Sequence, residues 1–131
     1  MKSADFAFVK FINSRLGDVN LQGSNLCFAQ FINTYLIMTS NLDEANLVGS
    51  DLSKELEVGE FSIDGRIHSM SPSLQGAYYN SKAIINNSHQ YHFLKSNFSS
   101  CVEEFDQLFP PTKFPPGFDP EAHGMIDISK W

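Results

Sequence analysis

No apolar run in this sequence approaches the roughly 20 residues that a helix needs to cross a bilayer, so no membrane span is expected. The opening residues Met1-Lys2-Ser3-Ala4-Asp5-Phe6 contain no apolar core of a leader peptide, and no secretory signal is expected there. Cysteine is scarce. Cys27 and Cys101 stand alone, in no C-x-x-C or metal-binding spacing, and read most simply as reduced thiols of a cytoplasmic protein. Basic residues are also few, with 9 Lys and Arg against 15 Asp and Glu and a formal charge of −6. Direct nucleic-acid binding needs a basic footprint to neutralise phosphates, so it is disfavoured. The deficit is local. Asp43, Glu44, Asp51, Glu55, Glu57, Glu60 and Asp64 face a single base, Lys54, within residues 43–64.

What the sequence does have is a beat of five. Large apolar residues recur at Phe6, Phe11, Leu16, Leu21, Leu26, Phe31 and Leu36. After one extra residue the beat resumes at Leu42, Leu47 and Leu52. Two positions before each comes a small or β-branched residue, from Ala4, Val9 and Ser14 to Ser40, Ala45 and Ser50. The position between is mostly polar, and Lys10, Arg15, Asn25 and Asn46 are expected to point out. A strand repeats at 2 and a helix at 3.6, so five fits neither. A short unit that cannot bury its own apolar side must stack on copies of itself.

The segments Ser40-Asn41-Leu42-Asp43-Glu44, Ala45-Asn46-Leu47-Val48-Gly49 and Ser50-Asp51-Leu52-Ser53 resemble the A(D/N)LXX unit of the pentapeptide-repeat family. Two later stretches, Leu74 to Lys82 and Thr112 to Pro120, resemble segments that follow the repeats in cyanobacterial members. The resemblance implies an all-β fold, a right-handed quadrilateral β-helix with four units per square turn. The central Leu or Phe and the small residue two before it would point inward. About three to four turns are expected, with a short C-terminal helix and an extended Pro-rich tail.

The implied organisation is a repeat body over residues 1–82, regular over 4–53 and irregular over 54–82. An insertion over 83–111 with a capping helix follows, then a tail over 112–131 packed on the coil. The extra residue after Leu36 predicts a local bulge, because a one-residue slip would otherwise turn later side chains inside out. Phe61 with Gly59, and Leu74 and Tyr79 with Ala77, read as further units, with turns at Ile63–Arg66 and Met70–Ser73. Within the insertion, Ile85 to Gln90 reads as polar and turn-like, and Ser96-Asn97-Phe98-Ser99 as one more unit. Ser99 or Ser100 reads as the cap of a helix carrying Phe105, Leu108 and Phe109, stopped by Pro110-Pro111. Phe114 and Phe118 are expected to lie on the body, with a helical turn from Asp119 ending at Gly124 and an alternation of Ile126, Ile128 and Trp131 at the end.

Candidate chemistry is thin. Tyr78-Tyr79-Asn80-Ser81-Lys82 contains the Y-x-x-x-K spacing of short-chain dehydrogenases, but no glycine-rich dinucleotide loop accompanies it. Tyr79 therefore reads as packing and Lys82 as surface. His89 and His92 are three apart, short of the three or four ligands that zinc takes, and His68 and His123 are isolated. Cys101 has no nearby base to activate it. No catalytic, cofactor-binding or metal residue is expected, no cofactor, and no enzymatic activity.

The function expected is a non-enzymatic protein-interaction or scaffold module. The alternative, by resemblance to longer family members, is an acidic mimic of DNA that binds a nucleic-acid enzyme such as DNA gyrase. The partner is expected to be another protein, met through the open N-terminal end or the acidic segment 43–64, with a homodimer as one form. Near the N-terminal end, Phe6 and Phe11 belong to the first turn, whose strand edges invite pairing. Light scattering of the isolated chain and of Phe6→Glu tests the homodimer. A dimer broken by the substitution is the expected result, and an unchanged monomer at high micromolar concentration refutes it.

Overall fold

The computed structural model describes residues 4–16, 18–32, 34–36, 40–52, 60–63, 65–69, 72–85, 88–102 and 108–131. Its smallest unit is a tight turn. In each case the N–H of the residue three after the large apolar one donates to that residue's carbonyl: Val9 to Phe6, Ser24 to Leu21, Ala29 to Leu26, Ala45 to Leu42, Ser50 to Leu47 and Ala77 to Leu74. The residue just before each donor has a positive φ: Phe8, Gly23, Phe28, Glu44, Gly49 and Gly76. That is the geometry of a type II turn, which needs φ > 0 at its third position. Before five of these six large residues stands Asn or Asp, for a reason. The side chains of Asp5, Asn20, Asn25, Asn41 and Asn46 accept from the N–H two residues on, closing an Asx turn beneath the type II turn.

These turns bend the chain back over itself. Parallel pairing joins Asp5 to Asn25, Lys10 to Gln30 and Arg15 to Tyr35, a separation of twenty residues. It then joins Asn20 to Asn41, Asn25 to Asn46 and Gln30 to Asp51, a separation of twenty-one. The step from twenty to twenty-one accommodates the extra residue after Leu36. The bulge expected there falls on residues 37–39, outside the described ones. Further returns are longer, with Asn46 on Tyr78, Tyr78 on Ile126 and Asp51 on Lys113.

The strands themselves are short. β1 (Lys10–Ile12) pairs with β3 (Gln30–Ile32), and β2 (Arg15–Leu16) with β4 (Tyr35–Leu36), all parallel. β5 (Glu60–Ile63) and β6 (Arg66–Ser69) form an antiparallel hairpin. β7 (Tyr78–Tyr79) pairs in parallel with β8 (Ile126–Asp127). This corrects the expectation of an all-β, right-handed quadrilateral β-helix of three to four turns. The strands are two to four residues long, in four separate two-stranded sheets, and no sheet among the described residues closes or runs along the stack. The physical reason is the turn in each unit. A positive φ two residues after the large side chain ends a strand almost as it starts, so most inter-layer contacts are single bridges. Phe61 is likewise a hairpin residue opposite His68, not a further unit.

The helix is displaced as well. α1 spans His89–Asn97, where a turn and an extra unit were expected. Ser88 caps it by accepting from the Tyr91 N–H, and Tyr91 and Leu94, three apart, form its buried side. Ser99–Cys101 is a 3-10 turn, Phe109 pairs with Ile84 in an antiparallel bridge instead of lying on the helix expected to carry Phe105, Leu108 and Phe109, and residues 103–107 lie outside the described ones. The C-terminal readings stand closer to the structure. A 3-10 turn at Glu121–His123 ends at Gly124, which takes a positive φ, and Phe114 and Phe118 stack on each other at 5.1 Å and pack against the core.

Two cores result. The inner one holds Leu21, Leu26, Phe31, Leu42, Leu47, Leu52, Leu74 and Tyr79 with the small residues Ala29, Ala45 and Ala77. Phe11 is half-buried, stacked on Phe31 at 5.0 Å, and Phe6 packs edge-on to Phe11 at 5.9 Å. The burial of Leu16 and Arg15 lies outside what is described. The small inward hydroxyls are satisfied in place. Ser50 donates to the Leu47 carbonyl and Thr34 to that of Phe11. The outer core lies between one side of the stack and the 83–111 segment, and contains Val48, Ile84, Tyr91, Leu94, Phe109 and Ile128.

A disulfide joins Cys27 to Cys101 across this outer core, with Cα atoms 5.7 Å apart. The expectation of two reduced thiols is therefore wrong. Cys27 occupies the second position of a turn, directed away from the inner core, and the segment after α1 carries Cys101 onto it. The same covering corrects another expectation. Asn25 and Asn46 were to point into solvent, yet both are buried. The Asn46 amide donates to Asn25 Oδ1 at 3.1 Å and to Cys101 Sγ at 3.4 Å, so the polar column becomes an internal hydrogen-bonded ladder.

The last pass is held by Asp127. Its carboxylate accepts from the Ser81 hydroxyl, from the Ser81 N–H at 3.1 Å, and from the N–H and hydroxyl of Ser129. Burial favours the neutral acid, but the hydrogen bonds from Ser129 and Ser81 outweigh it and hold the carboxyl below its usual range.

Three outcomes follow from these contacts. Leu26 is fully buried, so Leu26→Ala is expected to cost about 2–5 kcal/mol, read from the midpoint of chemical denaturation. Removing the crosslink by Cys27→Ser with Cys101→Ser is expected to cost about 2–5 kcal/mol, with reductant producing the same loss in the wild type and none in the variant. Because the Asp127 pKa is lowered on folding, its contribution is complete above the ordinary carboxylate range and is lost as pH falls through the lowered value. The difference in thermal midpoint between wild type and Asp127→Asn is therefore expected to shrink on acidification from neutral pH to about pH 2.

Candidate functional site

Residues that alternate with the inward ones on β1 and β3 necessarily point out. On this face Ile12 and Ile32 lie opposite each other in register and are 54% and 45% exposed. Large apolar side chains held on short paired strands, open to solvent and in line, form a patch rather than a scatter. Beside them, at the turn that precedes the face, stands a column of rings. Phe8 stacks on Phe28 with centroids 4.8 Å apart and planes 10° apart, and Phe28 stacks on Phe109 at 5.2 Å. Phe8 is 41% exposed. Both Phe8 and Phe28 hold the positive-φ position of their turns, at φ 64° and 59°. One layer on, that position is Gly49, whose missing side chain leaves the Phe28 ring free to lie across it. A Cβ added there would come within 3.2 Å of the ring.

The same side carries a column of four paired residues, Lys10, Gln30, Asp51 and Lys113. Between it and the ring column opens a cleft of about 420 Å³, bounded on its far side by Pro110 and Pro111. Both lysines are exposed, and among the described residues neither forms an ion pair. The salt bridge present there joins Lys130 to Glu121. Their backbones are fixed all the same. The Lys113 N–H donates to Ser50 O and its carbonyl accepts from Leu52 N, while Lys10 is paired within β1 and β3.

The residues singled out from sequence do not converge on any reaction centre. Tyr79 is buried in the inner core, edge-on to Phe114 at 5.6 Å. Burial, followed by the negative field of Asp127 and Glu121, raises its pKa, which disfavours the phenolate that a proton-transfer role would need. Lys82 is exposed. His89 and His92 are exposed on α1. His123 stacks on Phe118 at 4.5 Å. Cys101 is oxidised. Among the described residues no three His, Cys, Asp or Glu side chains are grouped to hold a metal. Of the acidic segment, Asp43, Glu44 and Asp51 are described, and residues 53–59 and 64 are not. Phe8, Phe28 and Gly49 escaped the sequence reading, yet a signal was present. Each stands two positions after an inward residue, Phe6, Leu26 and Leu47, and all three share one corner.

A family model for pentapeptide repeats matches residues 3–37 in eight copies. Residues 3–37 of the chain therefore carry pentapeptide repeats. The match spans the units built on Phe6 to Leu36, whose turns and inter-layer pairing are described above. Proteins of this kind are generally interaction or scaffold proteins rather than enzymes. No curated protein and no solved structure matches the chain. Among the described residues, no helix is long and apolar enough to cross a membrane.

Proposed function

We propose that this chain is a non-enzymatic protein-binding module that works through the β1 and β3 face. One observation carries the reading: Ile12 and Ile32 are held outward, in register, on paired strands, with the exposed ring of Phe8 beside them at the preceding turn. A side chain positioned before binding costs little entropy to dock. The candidate chemistry elsewhere is spent on structure, since Tyr79 packs and Cys101 is bonded to Cys27. The reading as an acidic DNA mimic has no observation of its own, for the column on this side begins and ends in lysine. The N-terminal end is likewise set aside, because Phe6 is partly covered and residues 1–3 are outside the described ones. The cytoplasmic placement rested on reduced thiols. The Cys27–Cys101 bond fits an oxidising compartment instead.

The test is affinity capture from the native host with the wild type and with Ile12→Ser combined with Ile32→Ser, after far-UV circular dichroism shows the two to be equally folded. Proteins retained by the wild type and lost on the variant are expected. A profile that the double substitution leaves unchanged overturns the reading.

A further inference from the structure

The cleft beside this face differs in charge from the chain taken as a whole. The chain carries −6 overall, yet the column along the cleft runs Lys10, Gln30, Asp51, Lys113. Adjacent members are paired strand residues, so each step is about 4.8 Å and the two lysines stand about 14 Å apart. Asp51 lies one step from Lys113 and two from Lys10. A ligand carboxylate in the middle of the column would therefore meet Asp51, whereas one at either end would meet a lysine. Opposite the column, the Phe28 ring lies over Gly49, with Phe8 stacked above and Pro110 and Pro111 beyond. The Phe28 and Phe8 rings give that wall an apolar surface.

We propose that the cleft binds an extended acidic peptide segment of a partner protein, with carboxylates four residues apart facing the column and an aromatic residue directly after the first carboxylate, on the opposite side of the peptide. The spacing comes from geometry, because four residues of extended chain cover about 13 Å, close to the separation of the lysines. The aromatic side chain packs against Phe28 and Phe8, and the peptide backbone runs past Gln30. A carboxylate at the central position is excluded by Asp51. The attraction is of the exposed kind and is screened by salt. This inference rests on the protein-binding reading and gives it a partner chemistry.

Fluorescence anisotropy with dye-labelled Asp-Phe-Ser-Ser-Asp tests it, using Asn-Phe-Ser-Ser-Asn, Lys-Phe-Ser-Ser-Lys and Asp-Phe-Asp-Ser-Asp as comparisons. The first peptide is expected to bind saturably, about three- to tenfold more tightly than the Asn peptide, with the advantage falling as salt rises. Lys10→Glu combined with Lys113→Glu is expected to remove that advantage. Phe8→Ala is expected to weaken binding severalfold while the preference for the acidic peptide persists. Both variants are checked for an unchanged thermal midpoint, and Lys113→Gln serves where the charge reversal lowers it. Equal binding of the Asn peptide, tighter binding of the Lys peptide, or tighter binding of the peptide with a central Asp overturns the proposal. So does sedimentation showing a dimer of the chain that Lys113→Glu dissolves, since a second copy would then be the occupant. Failure of all the peptides alongside capture that still depends on Ile12 and Ile32 would overturn the acidic-peptide cleft alone, and capture indifferent to Ile12 and Ile32 would overturn the parent reading.

Discussion

The stack depends on one hydrogen bond repeated in six units, from the N–H of a small or β-branched residue back to the carbonyl of the large apolar residue three before it. The bond closes a corner in which the large side chain points in and a positive φ follows two residues later. The Asx side chain just before the large residue secures the next N–H, and the remaining backbone groups pair with the layers above and below. Because each corner consumes most of its five residues, little is left to form strands. The architecture is accordingly a stack of corners bridged one residue at a time, with extended pairing only where a unit is straight enough, at β1 with β3 and β2 with β4. Corners also set the surface. The positive-φ residue is displayed at the edge of each layer, which is why Phe8 and Phe28 stand over Gly49 as one column.

The stack does not complete itself. The returns that cover its later layers come from progressively further along the chain, and the 83–111 segment closes over one side. There the Cys27–Cys101 disulfide, the Asn25–Asn46 ladder and the aromatic contacts of Tyr78 with Phe93 and Phe98 bind α1 to the repeats. Unpaired amides beneath a helix would be costly, and the ladder prevents that by letting each Asn serve the next. The side that α1 covers is therefore stapled and satisfied, while the β1 and β3 side keeps isoleucines, a ring column and two lysines open to solvent. This asymmetry divides a covered, crosslinked side from one with apolar and basic side chains open to solvent.

The inward set was legible in sequence because burial and period are the same fact in a short repeat. Leu21, Leu26, Phe31, Leu42 and Leu47 had to share one interior once they recurred at five. The C-terminal turn at Gly124 and the packing of Phe114 and Phe118 were legible for local reasons, proline before and glycine after. The outward set was not. Lys10 and Asn46 hold equivalent positions in the unit, and nothing local separates an exposed lysine from an asparagine that a distant segment buries.

The sequence by itself determined the five-residue repeat and the residues that share its interior, because those follow from chemistry within five to twenty residues. Only the tertiary structure decided that the strands stay short, that Cys27 meets Cys101, that α1 begins at His89, and that Lys10 and Lys113 end one column. Those outcomes join positions 74 and 103 residues apart along the chain. No periodicity reports such a contact. It is set by where the segment after the repeats can pack, and therefore by the shape and polarity of the surface that the repeats have already made.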